Sequence, residues 1–321
     1  MVSQEIKDLA KKYGYLVETI SRFIKIYGIE ETKKMIKAYE LQPLPSIRVN
    51  TLKISVNALK NRLLKKGFIL KDVEWYTNGF QVEKEPYSLG ATTEYLAGYY
   101  FVQSVASWLP PLILNPQPGE LVIDLAAAPG GKATHLAQLM NNEGTLICVD
   151  ISRDRIKSLR SNLARCGVQN NIIIRKDGRQ IPELHLKANK ILLDAPCSGE
   201  GLMALDRTRR TTRTIHDIKR MADLQKELLT AALKSLQKDG ELVYSTCSTA
   251  PEENEELINW AISEYPLEIL EPGFNKFKSG LTSAFDVNYH PDLEKARRLY
   301  PHLNGTEGFF VCKMKLREEM D

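Results

Sequence analysis

The chain has no apolar run approaching the roughly 20 residues that cross a bilayer. Its first residues, MVSQEIKDLAKKYGYLV, are charged and amphipathic and lack the unbroken apolar stretch of a secretory signal. Cysteine is scarce, with five residues (148, 166, 197, 247 and 312) in a chain of 321. An odd number scattered that widely suits reduced thiols and excludes a disulfide framework. Together these absences predict a cytoplasmic protein with no membrane partner. No C-x-x-C and no close His/Cys cluster occurs, so no metal is expected. Two nucleotide-binding turns are missing as well. In the hydrolase pattern G-x-x-x-x-G-K-[S/T], Ala126 stands where the first glycine belongs and Ala133 where the hydroxyl belongs. The dinucleotide pattern G-x-G-x-x-G is also absent.

What is present is an ordinary globular composition, 43% apolar and 26% charged. The net charge of +4 is unevenly spread. Residues 1–118 carry 16 Lys and Arg against 11 Asp and Glu, and the remainder carries 28 against 29. A basic N-terminal third permits a polyanionic partner.

Residues 4–27 place apolar side chains at helical spacing, and a second helix is expected after Gly28, ending before Pro43 and Pro45. SIRVNTLK, SVNALKNRLLKKG and WYTNGFQVE then read as a small α+β module. The proline-rich stretch 110–120 reads as a linker. From Glu120 strands and helices alternate: LVIDLAA, GKATHLAQLM, TLICVDIS, RDRIKSLRSNLARCG, NIIIRKD, KILLDAP and ELVYSTCS. Alternation of this kind predicts a doubly wound parallel α/β sheet with ligands at the carboxyl ends of its strands. The expected division is 1–42 (N-terminal helices), 43–112 (α+β module) and 113–321 (α/β domain).

The first strand-to-helix turn, Ala126, Ala127, Ala128, Pro129, Gly130, Gly131 and Lys132, is built of small residues and opens a helix whose free N–H groups can face a carboxylate. The next strand ends in Asp150, placed to accept from ribose hydroxyls. Two further strands end in Asp177 and Asp194. An adenosine with a cationic, carboxylate-bearing tail fits this set, and S-adenosylmethionine is such a molecule.

Two strands also end in cysteine motifs, DAPCSG (194–199) and YSTCS (244–248). The first stands where amino-group methyltransferases carry an N/D-P-P-Y/F motif. Carbon 5 of a pyrimidine becomes nucleophilic only after something adds to carbon 6, and a thiolate can do so. Cys148, Cys166 and Cys312 read as buried apolar side chains.

On IRVNTLK, GYYFVQSVAS, DLAAAPGGKATHLA, VDIS, DAPCSGEG, LVYSTCSTAPEENE and RLYPHLNGTEGFFVCK, the chain resembles the NSUN-type (Sun/Fmu) RNA 5-methylcytosine methyltransferases, most of all their archaeal tRNA branch. The resemblance runs from about Ser46 to Lys315. It implies a Rossmann-like class I methyltransferase domain with a small N-terminal RNA-recognition-like module. It implies Cys247 as nucleophile, Cys197 as the residue serving product release, Asp194 as the group that binds the base, and Lys132 as a holder of base or cofactor. S-adenosylmethionine would be bound by residues 126–132 with Asp150, Arg155, Asp177 and Asp194. Ala126 departs from the cysteine or methionine frequent in the family. No further RNA-binding domain is expected beyond Lys315, and the protein is expected to be monomeric. The partner is RNA, with tRNA favoured and rRNA the alternative. Arg207, Arg209, Arg210 and Arg213, in the basic stretch 206–220, are candidates to clamp phosphates around an extruded base. PEENEE (251–256) reads as a helix start with acidic residues in its first turn. Two rival readings are a catalytically idle RNA-binding relative and a DNA-type enzyme in which Cys197 is the nucleophile.

Overall fold

The computed structural model describes residues 3–320. Three helices open the chain: α1 (Gln4–Tyr13), α2 (Val17–Tyr27) and α3 (Ile29–Ala38). The expected helical run over 4–27 breaks between the first two. Gly14 turns left-handed there (φ 70°) and its N–H closes α1 onto Ala10 O. Next come β1 (Ser46–Val49), α4 (Val56–Lys65), β2 (Ile69–Asp72), β3 (Gly79–Lys84), α5 (Thr93–Leu96) and β4 (Tyr100–Val102). The stretch expected as a linker begins as a buried helix, α6 (Leu109–Leu114). Its prolines sit in the first turn, where a missing N–H costs nothing.

The alternating part runs through β5 (Leu121–Asp124), α7 (Gly131–Leu139), β6 (Thr145–Asp150), α8 (Arg153–Cys166), β7 (Asn171–Arg175) and β8 (Ala188–Asp194). It continues with α9 (Arg209–Thr212), α10 (Ile215–Lys234), β9 (Leu236–Thr246), α11 (Glu255–Glu264) and β10 (Leu267–Leu270). Short strands β11 (Lys278–Ser279), β12 (Ser283–Ala284) and β13 (Val287–Asn288) precede β14 (Arg297–Leu299), α12 (Pro301–Asn304) and β15 (Phe309–Leu316).

These elements form two compact units. One holds Leu44–Asp194, Leu228–Tyr244 and the residues from Lys313 on; the other holds the residues up to Pro43, Ala195–Glu227 and Ser245–Cys312. The segments 43–112 and 113–321 read from the sequence are distributed differently, because 44–112 folds in one unit with 113–194.

In the first of these units β1–β4 form an antiparallel sheet in the order β2-β3-β1-β4. With α4 and α5 this is the β-α-β-β-α-β arrangement of the RNA-recognition fold. Ile47, Val49, Phe80, Val82 and Tyr100 pack on Leu59 and Leu63 of α4. The opposite sheet face is covered at its centre: a Cβ on Gly79 would lie 2.6 Å from the Trp108 ring. Arg48, 1% exposed, donates from that face to Gln138 Oε1 and, at 2.7 Å, to Thr134 Oγ1 on α7. The centre of that face, at Gly79 and Arg48, is therefore closed to stacking bases.

The larger sheet of this unit runs β15-β9-β8-β5-β6-β7, with β8, β5, β6 and β7 parallel. Strands β5 and β6 are apolar almost throughout because neighbours cover both their faces. Helix α8 is set by Ser152, whose Oγ accepts from Arg155 N, and ends at the left-handed Gly167.

In the other unit, Ile20, Phe23, Met35, Ile36 and Tyr39 of the opening helices share a core with Met203, Ala204 and Tyr300. Strand β14 lies between β11 and β15. Among the described residues no helix is long and apolar enough to cross a membrane, and no His/Cys/Asp/Glu group could hold a metal ion.

Candidate active site

The parallel sheet changes direction of growth between β5 and β8, the place where such sheets bind ligands. Asp124 ends β5 and Asp194 ends β8. Asp124 is 1% exposed and neither carboxylate oxygen finds a hydrogen-bond partner of good geometry. Burial, with repulsion from Asp194 next, pushes its carboxyl up to about 7, and Lys132 pulls the other way. Lys132, at the start of α7, places Nζ 2.7 Å from Asp194 Oδ2.

The turn 126–132 is pinned to the end of β6. Asp150, buried, accepts from Ala128 N at 3.3 Å through Oδ2 and from Ser152 N at 2.9 Å through Oδ1. Arg155 donates Nη2 to Ala128 O and lies 3.5 Å from Asp150 Oδ2. Gly130 has φ 108°, a value side chains resist, and a Cβ on Gly131 would meet Gln103 and Phe101 at 3.1 and 3.2 Å. Gly130 is favoured by its left-handed backbone, and the missing side chain of Gly131 leaves room for Gln103 and Phe101. Asp177 follows β7 and caps the 3-10 turn 178–184; its carboxylate is engaged by Arg179 Nη2 at 2.6 Å, which lowers its pKa. Nothing in its local pattern marks Arg48 for a role, yet it binds α7 just behind this turn. Its charge is buried on side-chain and backbone oxygens 83 to 90 residues away in the chain.

In the other unit, the segment leaving β8 and the end of β9 carry the two motif cysteines. Cys197 Sγ and Cys247 Sγ are 2.9 Å apart and neither is in a disulfide. Both are half-buried, whereas Cys148, Cys166 and Cys312 are buried. The Cys197 thiol is pushed well up by its contact with Cys247 first and by burial second. The segments are registered by backbone bonds, Ala195 N to Ser245 O at 2.9 Å and Gly201 N to Cys247 O at 3.0 Å.

The basic stretch divides in the folded chain. Arg210 is 4% exposed and donates to Tyr39 O, Tyr13 O and Glu40 Oε1, with its guanidinium over the Tyr15 ring. It is buried with no face open to a phosphate, and that expectation is corrected: its Nη donors hold Tyr13 O of α1 and Tyr39 O at the end of α3. Arg209 Nη1 and Arg213 Nε both donate to Ser198 O at 2.8 Å. Arg207 is the exposed member, 3.3 Å from Glu40 Oε2. The PEENEE stretch also differs from a plain dipole-favoured helix start. Glu253 and Glu255 are wholly buried, and Glu255 pairs with the buried Arg298 through two bonds.

The sequence pattern described as 16S rRNA methyltransferase RsmB/F matches residues 111–315, and that of the N-terminal domain of 16S rRNA methyltransferase RsmF matches 18–105. The chain belongs to the RsmB/F methyltransferase family. Within it, the chain is 36% identical over 320 residues to a tRNA (cytosine(49)-C(5))-methyltransferase of Pyrococcus abyssi, covering 97% of this chain and 98% of the relative. It is 38% identical over 314 residues to a mouse 28S rRNA (cytosine-C(5))-methyltransferase, covering 96% of this chain but 40% of the relative. Several RsmB/F relatives are thus about twice as long as the matched chain. The crystal structure of NSun6 from Pyrococcus horikoshii with SFG superposes with a TM-score of 0.82 at 27% identity, over 93% of this chain and 97% of that one. The domain is a class I methyltransferase fold.

Proposed function

We propose that the protein is an S-adenosylmethionine-dependent RNA cytosine-C5 methyltransferase. The observation that carries this reading is the pair of free thiols 2.9 Å apart at the Cys197 and Cys247 motifs. The cofactor side is supported by the small-residue turn held to a buried Asp150, and by the orphaned Asp124 carboxylate, which suits a cationic ligand. Residues Ala126–Lys132, Asp150, Arg155, Asp177 and Asp194 are assigned to hold S-adenosylmethionine. When bound, it supplies the electrophilic methyl group.

Cys247 is assigned as the nucleophile that bonds to carbon 6 of cytosine, leaving carbon 5 electron-rich. Asp194, with Lys132 at its side, is assigned to bind the base at its N3/amino edge, where its carboxylate accepts from the amino group. Cys197 serves release: the carbon 5 proton passes to the Cys197 thiolate or to a base that Cys197 positions, the C–H electron pair re-forms the ring double bond, and the Cys247 sulfur is expelled as thiolate. The largest influence holding the Cys197 thiol protonated is Cys247 itself. Once that sulfur is bonded to the base, this influence is gone and Cys197 gives up its proton more readily. Arg207, Arg209 and Arg213 are assigned to RNA phosphates.

A tRNA substrate is favoured by the end-to-end match to the Pyrococcus abyssi enzyme; the rRNA enzymes at similar identity support the second reading. Bisulfite sequencing of total RNA from a strain lacking the gene decides between them. The cysteine roles are tested by incubating variants with that RNA and S-adenosylmethionine and running a denaturing gel. Cys197→Ala should accumulate a protein–RNA adduct, and Cys247→Ala and the double variant should show none. An adduct from Cys247→Ala and none from Cys197→Ala would reverse the assignment.

A further inference from the structure

Each motif cysteine is followed by a serine, and the two serines make the same pair of bonds. Ser198 Oγ accepts from Glu200 N at 3.3 Å and donates to Glu253 Oε1 at 2.5 Å. Ser248 Oγ accepts from Ala250 N at 3.1 Å and donates to the same Oε1 at 2.6 Å. Glu253 Oε2 accepts from Ser198 N at 2.8 Å and from Gln225 Nε2 at 3.0 Å. A single wholly buried carboxylate therefore takes four donors, and three of them belong to the two Cys-Ser turns. Burial pushes the Glu253 carboxyl up, and the hydrogen bonds from Ser198, Ser248 and Gln225 pull it the other way.

The residues before the cysteines are tied to the same cluster. Gln225 Nε2 also donates to Pro196 O at 2.8 Å. Thr246 Oγ1 donates to Asn254 Oδ1 at 2.6 Å, and Asn254 Nδ2 donates to Ser248 O at 3.0 Å. Both cysteines are thus flanked on each side by residues bound to Glu253, Gln225 or Asn254.

We propose that Glu253 is a positioning residue that ties the two Cys-Ser turns to one carboxylate and so holds the Cys197 and Cys247 thiols in contact. This role rests on the two-thiol chemistry proposed above. It also explains why each cysteine is followed by serine: alanine offers no hydroxyl to the shared carboxylate. Two turns on separate segments have no covalent reason to stay in register, and an ångström of drift would part the sulfurs.

The test reads thiol geometry without RNA. Diamide oxidises two neighbouring thiols to a disulfide, being reduced itself to the hydrazine. Its rate is followed in the full chain by N-ethylmaleimide quenching and peptide mapping of the 197–247 pair. Glu253→Ala and Ser248→Ala should slow that disulfide at least tenfold, and Ser248→Thr, which keeps the hydroxyl, should restore it. Alkylation of Cys247 by iodoacetamide in a Cys197→Ala background should stay within twofold on adding Ser248→Ala, showing that access is unchanged. If Glu253→Ala does not fold, the serine variants decide. Wild-type disulfide rates in Ser248→Ala, or a threonine variant as slow as the alanine one, would overturn the role. Lack of methylation on every RNA tried would instead count against the proposed function, and the disulfide rates would stand apart from it.

Discussion

Replacing Asp124 with asparagine should flatten the protein's loss of stability between weakly acidic and weakly basic pH. Asp124 ends β5, nearly sealed from solvent, and its carboxyl is pushed up to about 7 by burial first and by Asp194 second. In the unfolded chain the same group titrates near its ordinary value of about 3.9. Below that pH both states carry the proton, and the folded state keeps its full stability. Between about pH 4 and pH 7 the unfolded chain releases a proton that the folded chain retains, so unfolding gains ground as pH rises. Above about pH 7 both states are ionised and the loss is complete. At about 1.4 kcal/mol per pH unit, the interval amounts to about 4 kcal/mol, of which about 3 kcal/mol falls between pH 5 and pH 8.

The measurement is urea unfolding of wild type and Asp124→Asn at several pH values across that range. Glu200, also buried and pushed up to about 7, adds slope to both proteins alike, so the difference between them isolates Asp124. The variant should gain about 3 kcal/mol on wild type from pH 5 to pH 8. Parallel profiles would refute the reasoning, because they would mean that Asp124 is ionised and solvated in the folded chain throughout.

Four further outcomes follow from single contacts. Asp150→Ala removes the carboxylate that accepts from Ala128 N and should weaken S-adenosylmethionine binding by about 1–3 kcal/mol by calorimetry, with RNA affinity unchanged. Arg298→Met leaves Glu255 charged and wholly buried and should cost about 3–5 kcal/mol in urea unfolding, much of it recovered by adding Glu255→Leu. Arg210→Ala strips donors from Tyr39 O and Glu40 and should cost about 3 kcal/mol of stability. Arg207→Ala should change stability by less than about 0.5 kcal/mol, and should lower the slope of log affinity for RNA against log salt by about 1.

What the sequence determined by itself was everything carried by short contiguous patterns. Apolar runs ending in Asp150, Asp194 and the two cysteine motifs read directly as strands with chemistry at their carboxyl ends, since a strand, its turn and the following helix are neighbours in the chain. The alternation after Glu120 likewise sufficed for a doubly wound sheet. Charge patterning was a poorer guide: four arginines in one stretch looked alike, but Arg210 is consumed by residues 170 and 197 positions away. Arg48 and Glu253 looked like ordinary charged residues of a strand and a helix start. They acquired their roles only when folding set them against Gln138 and Thr134, and against Ser198 and Gln225. Proline was also misleading, because α6 tolerates it in a first turn that burial of Leu109 and Leu114 stabilises. The tertiary structure decided these points for one physical reason. A buried charge needs partners wherever they lie along the chain, and only the packed fold determines which distant segments supply them.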